Sequence, residues 1–274
     1  MKKYISILLF LTLTIVTFAQ KNENALSFSL GGGQNQLSYK STNGIEKAGY
    51  GWSADLAYHF YFSTRVGIKA GMAIQSYSSS TVLNFTEETP DIDSEADDYI
   101  FRAKFSNWQE QQQLLNIELP VAVLYLFPVS ERFFLQTSVG VKICLPISST
   151  YKKTGGSITT SAYYPKWNVE LTNLPQYGYD TFTNTYKGTY NSTIGIAGIA
   201  EIGGQYKLTE KLNLYAGLYY NYGLNNMLES DDQKLYLKTA VYNGIFNADQ
   251  TKVMKPIAMG LKVGINYKLN DRTH

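Results

Sequence analysis

The 274-residue chain has one cysteine, Cys144, and two histidines, His59 and His274. A single thiol excludes an internal disulfide as a source of stability. So few soft ligands leave no His/Cys/carboxylate spacing suited to a transition metal. Acyl transfer through a Ser–His pair would depend on His59 and a neighbouring serine, because His274 is the terminal residue. Gly31 to Gly33 lack the following helix that a phosphate-binding loop requires, so no cofactor is implied. An excess of either charge is also lacking. Without Met1 to Ala19, which carry Lys2 and Lys3, the 24 basic residues become 22 against 22 acidic ones. Neutrality gives no electrostatic reason to expect a nucleic-acid partner. Beyond the amino terminus no apolar run approaches the roughly eighteen residues of a spanning helix. Such a chain could cross a membrane only as a closed barrel.

The amino terminus, MKKYISILLFLTLTIVTFAQ, has the form of a secretory signal. Lys2 and Lys3 make its basic region, Ile5 to Val16 its apolar region, and Thr17-Phe18-Ala19 a small-residue cleavage site. No cysteine follows it to carry a lipid anchor. The expected organisation is a signal peptide over residues 1–19, removed on export, and one domain over 20–274.

Tyr (23) and Gly (22) are abundant and Pro (7) is scarce. Alternation dominates the rest of the chain. Ala48, Tyr50, Trp52, Ala54, Leu56, Tyr58 and Phe60 alternate with Gly49, Gly51, Ser53, Asp55 and His59. In NIELPVAVLYLF, Ile117, Leu119, Val121, Val123, Tyr125 and Phe127 share one face, which puts Glu118 and Pro120 on the other. The pattern predicts eight strands near 25–35, 47–62, 65–78, 113–127, 132–148, 192–208, 211–225 and 255–269. Short turns alternate with long connections at about 36–46, 79–112, 149–191 and 226–254. The fold class expected is all-β: an eight-stranded antiparallel up-and-down transmembrane β-barrel, with short periplasmic turns and long extracellular loops.

A soluble ligand-binding barrel shows the same alternation with its apolar face inside. The polar face here is mostly Gly, Ser, Ala and Asn, whereas a water-facing surface usually carries about 25–35% charged residues. It suits the interior of a small barrel, which side chains just fill. The oily face suits lipid, with Tyr50, Trp52, Tyr58, Phe60, Tyr125, Phe127 and Phe133 placed as interfacial girdles. Six charges fall on the lumen face: Asp55, Lys69, Glu118, Lys142, Glu201 and Lys262. Three acids and three bases predict an ion-pair network that plugs the lumen. A three-residue turn over Val129 to Glu131 would set Glu118 opposite Lys142, and a register two residues off would keep them diagonal. Pro120 removes a ladder donor and is expected to mark a bulge or irregularity.

Asp91, Asp93, Glu95 and Asp97 alternate as in a calcium loop and make a weak candidate cation site. Ala96 replaces the turn glycine and Arg102 the closing glutamate, which favours a solvated loop. Tyr151, Tyr163, Tyr164, Trp167, Tyr177, Tyr179, Tyr186 and Tyr190 could stack on sugars or partner proteins, or could extend strands beyond the membrane as hairpins. Cys144 faces the lumen and is expected to be inert.

NIELPVAVLYLF resembles the Leu-Glu-x-Pro strand of the PorT-like outer-membrane β-barrel family of Gram-negative bacteria. IGIAGIAEIGGQYKLTEKLNLYAGLYYNYGLNN is similar to its Gly-rich strand, short turn and aromatic strand ending Tyr-Gly-Leu-Asn. The resemblance implies an outer-membrane location, and its namesake is linked to protein secretion. One departure is the carboxyl end, NYKLNDRTH, where such barrels commonly end on an aromatic residue. The function expected is a non-enzymatic, monomeric outer-membrane barrel among outer-membrane lipids. Its loops would bind a partner or surface, or it would assist other envelope or secretion proteins. A narrow pore or passive transporter and a lipid-modifying enzyme are the alternatives.

Overall fold

In the computed structural model, which describes residues 24–229, 233–238 and 241–269, long antiparallel strands follow one another through alternating short and longer connections. The signal-peptide reading, residues 1–19, and His274 lie outside the described residues. The long strands are β1 (Asn24–Tyr39), β2 (Gly51–Tyr61), β3 (Val66–Ile92), β4 (Asp98–Pro128), β5 (Phe133–Tyr164), β6 (Gly195–Lys207), β7 (Leu212–Gly223) and β8 (Met254–Lys268). Each pairs with its sequence neighbours, and β8 pairs with β1 from Ala25↔Lys268 to Tyr39↔Met254. The β5–β6 ladder, Tyr206↔Phe133 to Gly195↔Cys144, completes the ring. The protein is an eight-stranded antiparallel up-and-down barrel, with Gly44–Ala48, Val169–Leu171, Thr181–Phe182 and Lys187–Thr189 attached to the same sheet.

The pleat decides which face is inside. Leu119 is 37% exposed and Ile202 49%, while their neighbours Glu118 and Glu201 are 1% and 9%. On β8, Met259, Leu261, Val263, Ile265 and Tyr267 all face out. With a rise of about 3.3 Å per residue and a tilt near 40°, Ile257 to Tyr267 covers roughly 25 Å, the height of a hydrocarbon band. Tyr50 and Trp52 are exposed at one rim, and Tyr58, Phe127 and Phe133 at the other. No helix is long and apolar enough to cross a membrane among the described residues.

The structure alters three sequence expectations. The stretches 79–112 and 149–191 are largely strand rather than connection: β3 runs to Ile92, β4 begins at Asp98, and β5 continues to Tyr164. Beyond the apolar band both faces are polar or mixed, so the contrast that reveals a membrane strand fades although the pairing persists. The strand expected over 47–62 is interrupted at Gly49–Tyr50. Ala48 pairs with Ser79 and Ser53 with Gln75, five residues advancing against four. A Cβ at Gly49 would lie 2.2 Å from Ser78 O and one at Gly51 2.0 Å from Ser76 O, so glycine is needed at this crossing. The β4–β5 turn is longer than three residues, because Pro128 pairs with Phe134; Glu118 faces Cys144, the register two residues off that keeps Glu118 and Lys142 diagonal. Pro120 marks the expected irregularity, without a bulge. The β3–β4 ladder lapses between Ala70↔Val121 and Ala73↔Glu118 but resumes in register, as a missing N–H dictates.

The largest buried cluster lies above the lipid-facing band. Phe105, Trp108, Ile158, Leu235, Tyr242, Ile245 and Phe246 belong to it, from β4, β5 and the connection between β7 and β8. That last connection packs inward as a cap at the long-connection end.

Candidate functional site

Lumen side chains are stacked in levels set by the registers. At the short-turn end, Gln136, Gln205, Asn213, Asn266, Ser27 and His59 are buried and come from β5, β6, β7, β8, β1 and β2 in turn. Ser27 Oγ and His59 Nε2 are 2.9 Å apart, and His59 Nδ1 is 3.5 Å from the Tyr61 hydroxyl. This has the nucleophile–base distance of acyl transfer. However, the pair faces the lumen at the short-turn end, His59 is 2% exposed, and a phenol rather than a carboxylate stands at the second nitrogen.

One level inward, Glu201 accepts from Lys69 at 2.9 Å through Oε2 and from Lys262 at 2.6 Å through Oε1. Lys262 also reaches Asp55 Oδ1 at 3.2 Å, and Ser53 donates to Asp55 Oδ2 at 3.2 Å. Above them Lys142 Nζ lies 2.5 Å from Glu118 Oε2, with Gln75 Oε1 at 2.9 Å and the Tyr77 hydroxyl at 3.3 Å. Tyr77 donates to Glu118 Oε1 at 2.8 Å, and Cys144 Sγ is 3.7 Å from the same oxygen. The structure thus brings all six lumen charges to a partner in two separate clusters, one linking β2, β3, β6 and β8, the other β4 and β5. Burial would penalise each ion by several kcal/mol if it stood alone, and pairing offsets that. Both clusters are buried, and Cys144 is fully buried beside Glu118.

The cap closes the other end. Glu110, on β4 and fully buried, accepts from the Tyr242 hydroxyl at 2.5 Å, from Gln112 Nε2 at 2.9 Å and from Ile245 N at 3.3 Å. Burial outweighs these donors and pushes its carboxyl up to about 7. Glu87 of β3 accepts from the backbone N–H groups of Leu235 and Tyr236 at 3.2 and 3.0 Å, and burial raises its carboxyl as well. Two inward carboxylates thereby hold one strap to the sheet. Sequence reasoning left both unassigned. Glu110 does alternate with Gln112 and Trp108 on one face of WQEQQQ, the signal that could have found it.

The four tip carboxylates do not converge. Asp91 takes Lys238 at 2.8 Å and the Tyr99 hydroxyl at 2.6 Å, which hold it down at about 2. Asp93 accepts from the Glu95 and Asp97 N–H groups at 2.9 and 3.0 Å and closes a turn in which Ala96 has φ 63°. Asp97 pairs with Lys166 at 3.0 Å, and Glu95 is exposed. Among the described residues, no group of three or more His, Cys, Asp or Glu is placed to hold a metal ion. Of the aromatic loop residues, Tyr151, Tyr179 and Tyr190 are buried, and Tyr164 and Tyr186 pack against the cap core. Tyr163 lies under Arg102, whose Cζ is 4.1 Å from its ring. Trp167 and Tyr177 remain exposed. Most of these rings build the cap rather than present a platform.

No protein-family model and no curated protein sequence matches the chain. Among solved structures it is similar to Neisserial surface protein A, with 10% identity over 91% of this chain and 100% of that one, at a TM-score of 0.38. It is similar to the outer membrane protein OprG from Pseudomonas aeruginosa, with 10% identity, 91% and 96% coverage and a TM-score of 0.42. A third is Ail, the attachment invasion locus protein of Yersinia pestis, with 14% identity, 89% and 99% coverage and a TM-score of 0.30.

Proposed function

We propose that the chain is a non-enzymatic protein of the bacterial outer membrane that works through its capped outer surface and conducts nothing through its lumen. On this reading residues 1–19 direct export and are removed. The short turns then face the periplasm and the extended β3–β4–β5 sheet stands outside the cell. The observation that carries the proposal is the lumen filling. Lys69 and Lys262 are tied to acids on non-adjacent strands, Lys142 to Glu118 on the next strand and to Gln75 and Tyr77 beyond it, and the strap residues 233–238 and 241–249 lie above them. An eight-stranded barrel has an interior that side chains fill, and paired ions bridging it leave no wet path.

The outer surface is built for contact rather than for chemistry. Its core fixes the strap and hairpins, while Trp167, Tyr177, Ile92 and Ile45 stay exposed on it. Partner or surface binding follows, and the resemblance to PorT-like barrels adds an accessory role in secretion or envelope assembly. Planar-bilayer recording of the purified protein tests this. No stable open channel is expected, and a steady large conductance would overturn the sealed lumen in favour of the passive-pore reading. Co-purification from mildly solubilised outer membranes would then identify the partner class.

A further inference from the structure

The outward face of the projecting sheet carries a row of residues that successive registers place side by side. Lys47 pairs with Ser80, Ser80 with Gln111, Gln111 with Lys152, and Lys152 with Lys187. The row lies on the outside: Ser79, Thr81, Glu110, Gln112 and Tyr151, which flank it along their strands, are buried, whereas the three lysines are exposed. With strands about 4.8 Å apart, Lys152 and Lys187 stand roughly 5 Å from each other and Lys47 about 14 Å from Lys152. Like charges directly opposite on neighbouring strands destabilise a sheet unless an anion lies between them.

Among the described residues no anion is supplied to the row. Among the described residues no salt bridge involves Lys47, Lys152 or Lys187. The Glu46 carboxylate is turned to the Ser41 N–H at 2.6 Å. On this face of β3 the first acid above the row is Glu88, which is paired with Arg102 at 2.9 Å. The row lies on the same outward face as the lipid-facing band. Below the row, the nearest exposed large apolar residue of β3 is Ile74, six residues before Ser80. At about 3.3 Å per residue and a tilt near 40° the row stands roughly 15 Å above the apolar edge. Lysine stems reach from there down toward a headgroup layer.

We infer that Lys47, Lys152 and Lys187 form a docking row for the phosphoryl groups of a phosphorylated outer-leaflet glycolipid, which joins the sheet to the membrane beside it. This rests on the outer-membrane reading above. Three cations beside an anionic lipid layer strengthen binding by roughly 100-fold together.

The test uses the full chain in zwitterionic nanodiscs and measures binding of bisphosphorylated lipid A by native mass spectrometry. It compares the wild type, the triple variant K47Q/K152Q/K187Q, and K104Q/K166Q/K238Q, which removes the same charge from elsewhere on the outer sheet. Heat-dependent gel mobility confirms that each is folded. The expected result is binding that falls roughly 100-fold in the first variant and less than about threefold in the second. Equal binding by the wild type and the row variant would overturn the inference. So would equal losses in both variants, tight binding of dephosphorylated lipid A, or full competition by a soluble phosphorylated core oligosaccharide. Failure of the wild type to enter lipid at all would instead strike the outer-membrane reading.

Discussion

The Tyr242 hydroxyl lies 2.5 Å from Glu110 Oε2, across 132 residues of sequence, and fastens the last outer connection to the middle of β4. Glu110 also meets the strap at Ile245 N, so a single side chain secures two of its points. Removing the hydroxyl leaves a buried carboxylate short of one donor, at a cost of about 1–3 kcal/mol. Tyr242→Phe is expected to raise hydrogen exchange of the Tyr236 and Ile245 amides by roughly tenfold to 100-fold. Exchange in the membrane part of β6 and β7 should stay unchanged. Equal acceleration in both regions would show that the cap and barrel open together.

The same carboxyl makes the cap pH-dependent. Burial lifts Glu110 to about 7 in the closed cap, against roughly 4.3 when exposed. The closed state therefore holds a proton that the open state has lost, and closure weakens as pH rises through this window. The full effect is about 4 kcal/mol, complete above pH 7 and absent below pH 4. Protease resistance of the strap should decline from pH 5 to pH 8, and Glu110→Gln should flatten the profile. Asp91 acts in the opposite sense. Lys238 and Tyr99 hold it near 2, so its contribution is present at neutral pH and fades as pH falls below the ordinary aspartate range toward 2.

Lys142→Met is expected to cost about 3–5 kcal/mol, because Glu118 would remain buried without its cation. The double variant Lys142→Met/Glu118→Leu removes both ions and should recover most of that loss. Urea unfolding of the protein in lipid vesicles measures both. A double variant no better than the single one would mean that packing at this level, rather than charge, decides stability.

Ser27→Ala and His59→Ala are expected to leave cellular lipid A unchanged relative to overproduced wild type, because the pair faces a filled interior. A lipid modification that appears with the wild type and vanishes in both variants would reinstate the enzyme reading.

The legible part of the sequence reflects the physics of the membrane. Glu118 between Ile117 and Leu119, and Glu201 between Ala200 and Ile202, stand out because lipid demands apolar residues at every outward position. The eight strands and their lumen faces were readable on that contrast alone. Above the band, Ser78 and Ser80 face outward where Ser79 is buried, and identical residues on opposite faces carry no pattern. The length of β3 to β5 was invisible for that reason. The cap was hidden for another. Tyr242, Ile245 and Phe246 sit in an irregular connection, and what they pack against, Trp108 and Phe105, lies more than 130 residues away. Glu110 went unassigned, since its alternation in WQEQQQ marks a shared face but does not announce that a distant backbone N–H will meet it.

The pairing of Ala25 with Lys268 spans nearly the whole described chain. The first strand therefore waits for the final one before its open edge is satisfied, and no shorter intermediate is free of sticky ends. Assembly with such distant contacts is intrinsically slow. Until those two strands zip together, the sheet keeps two unpaired edges that can template contacts with other chains.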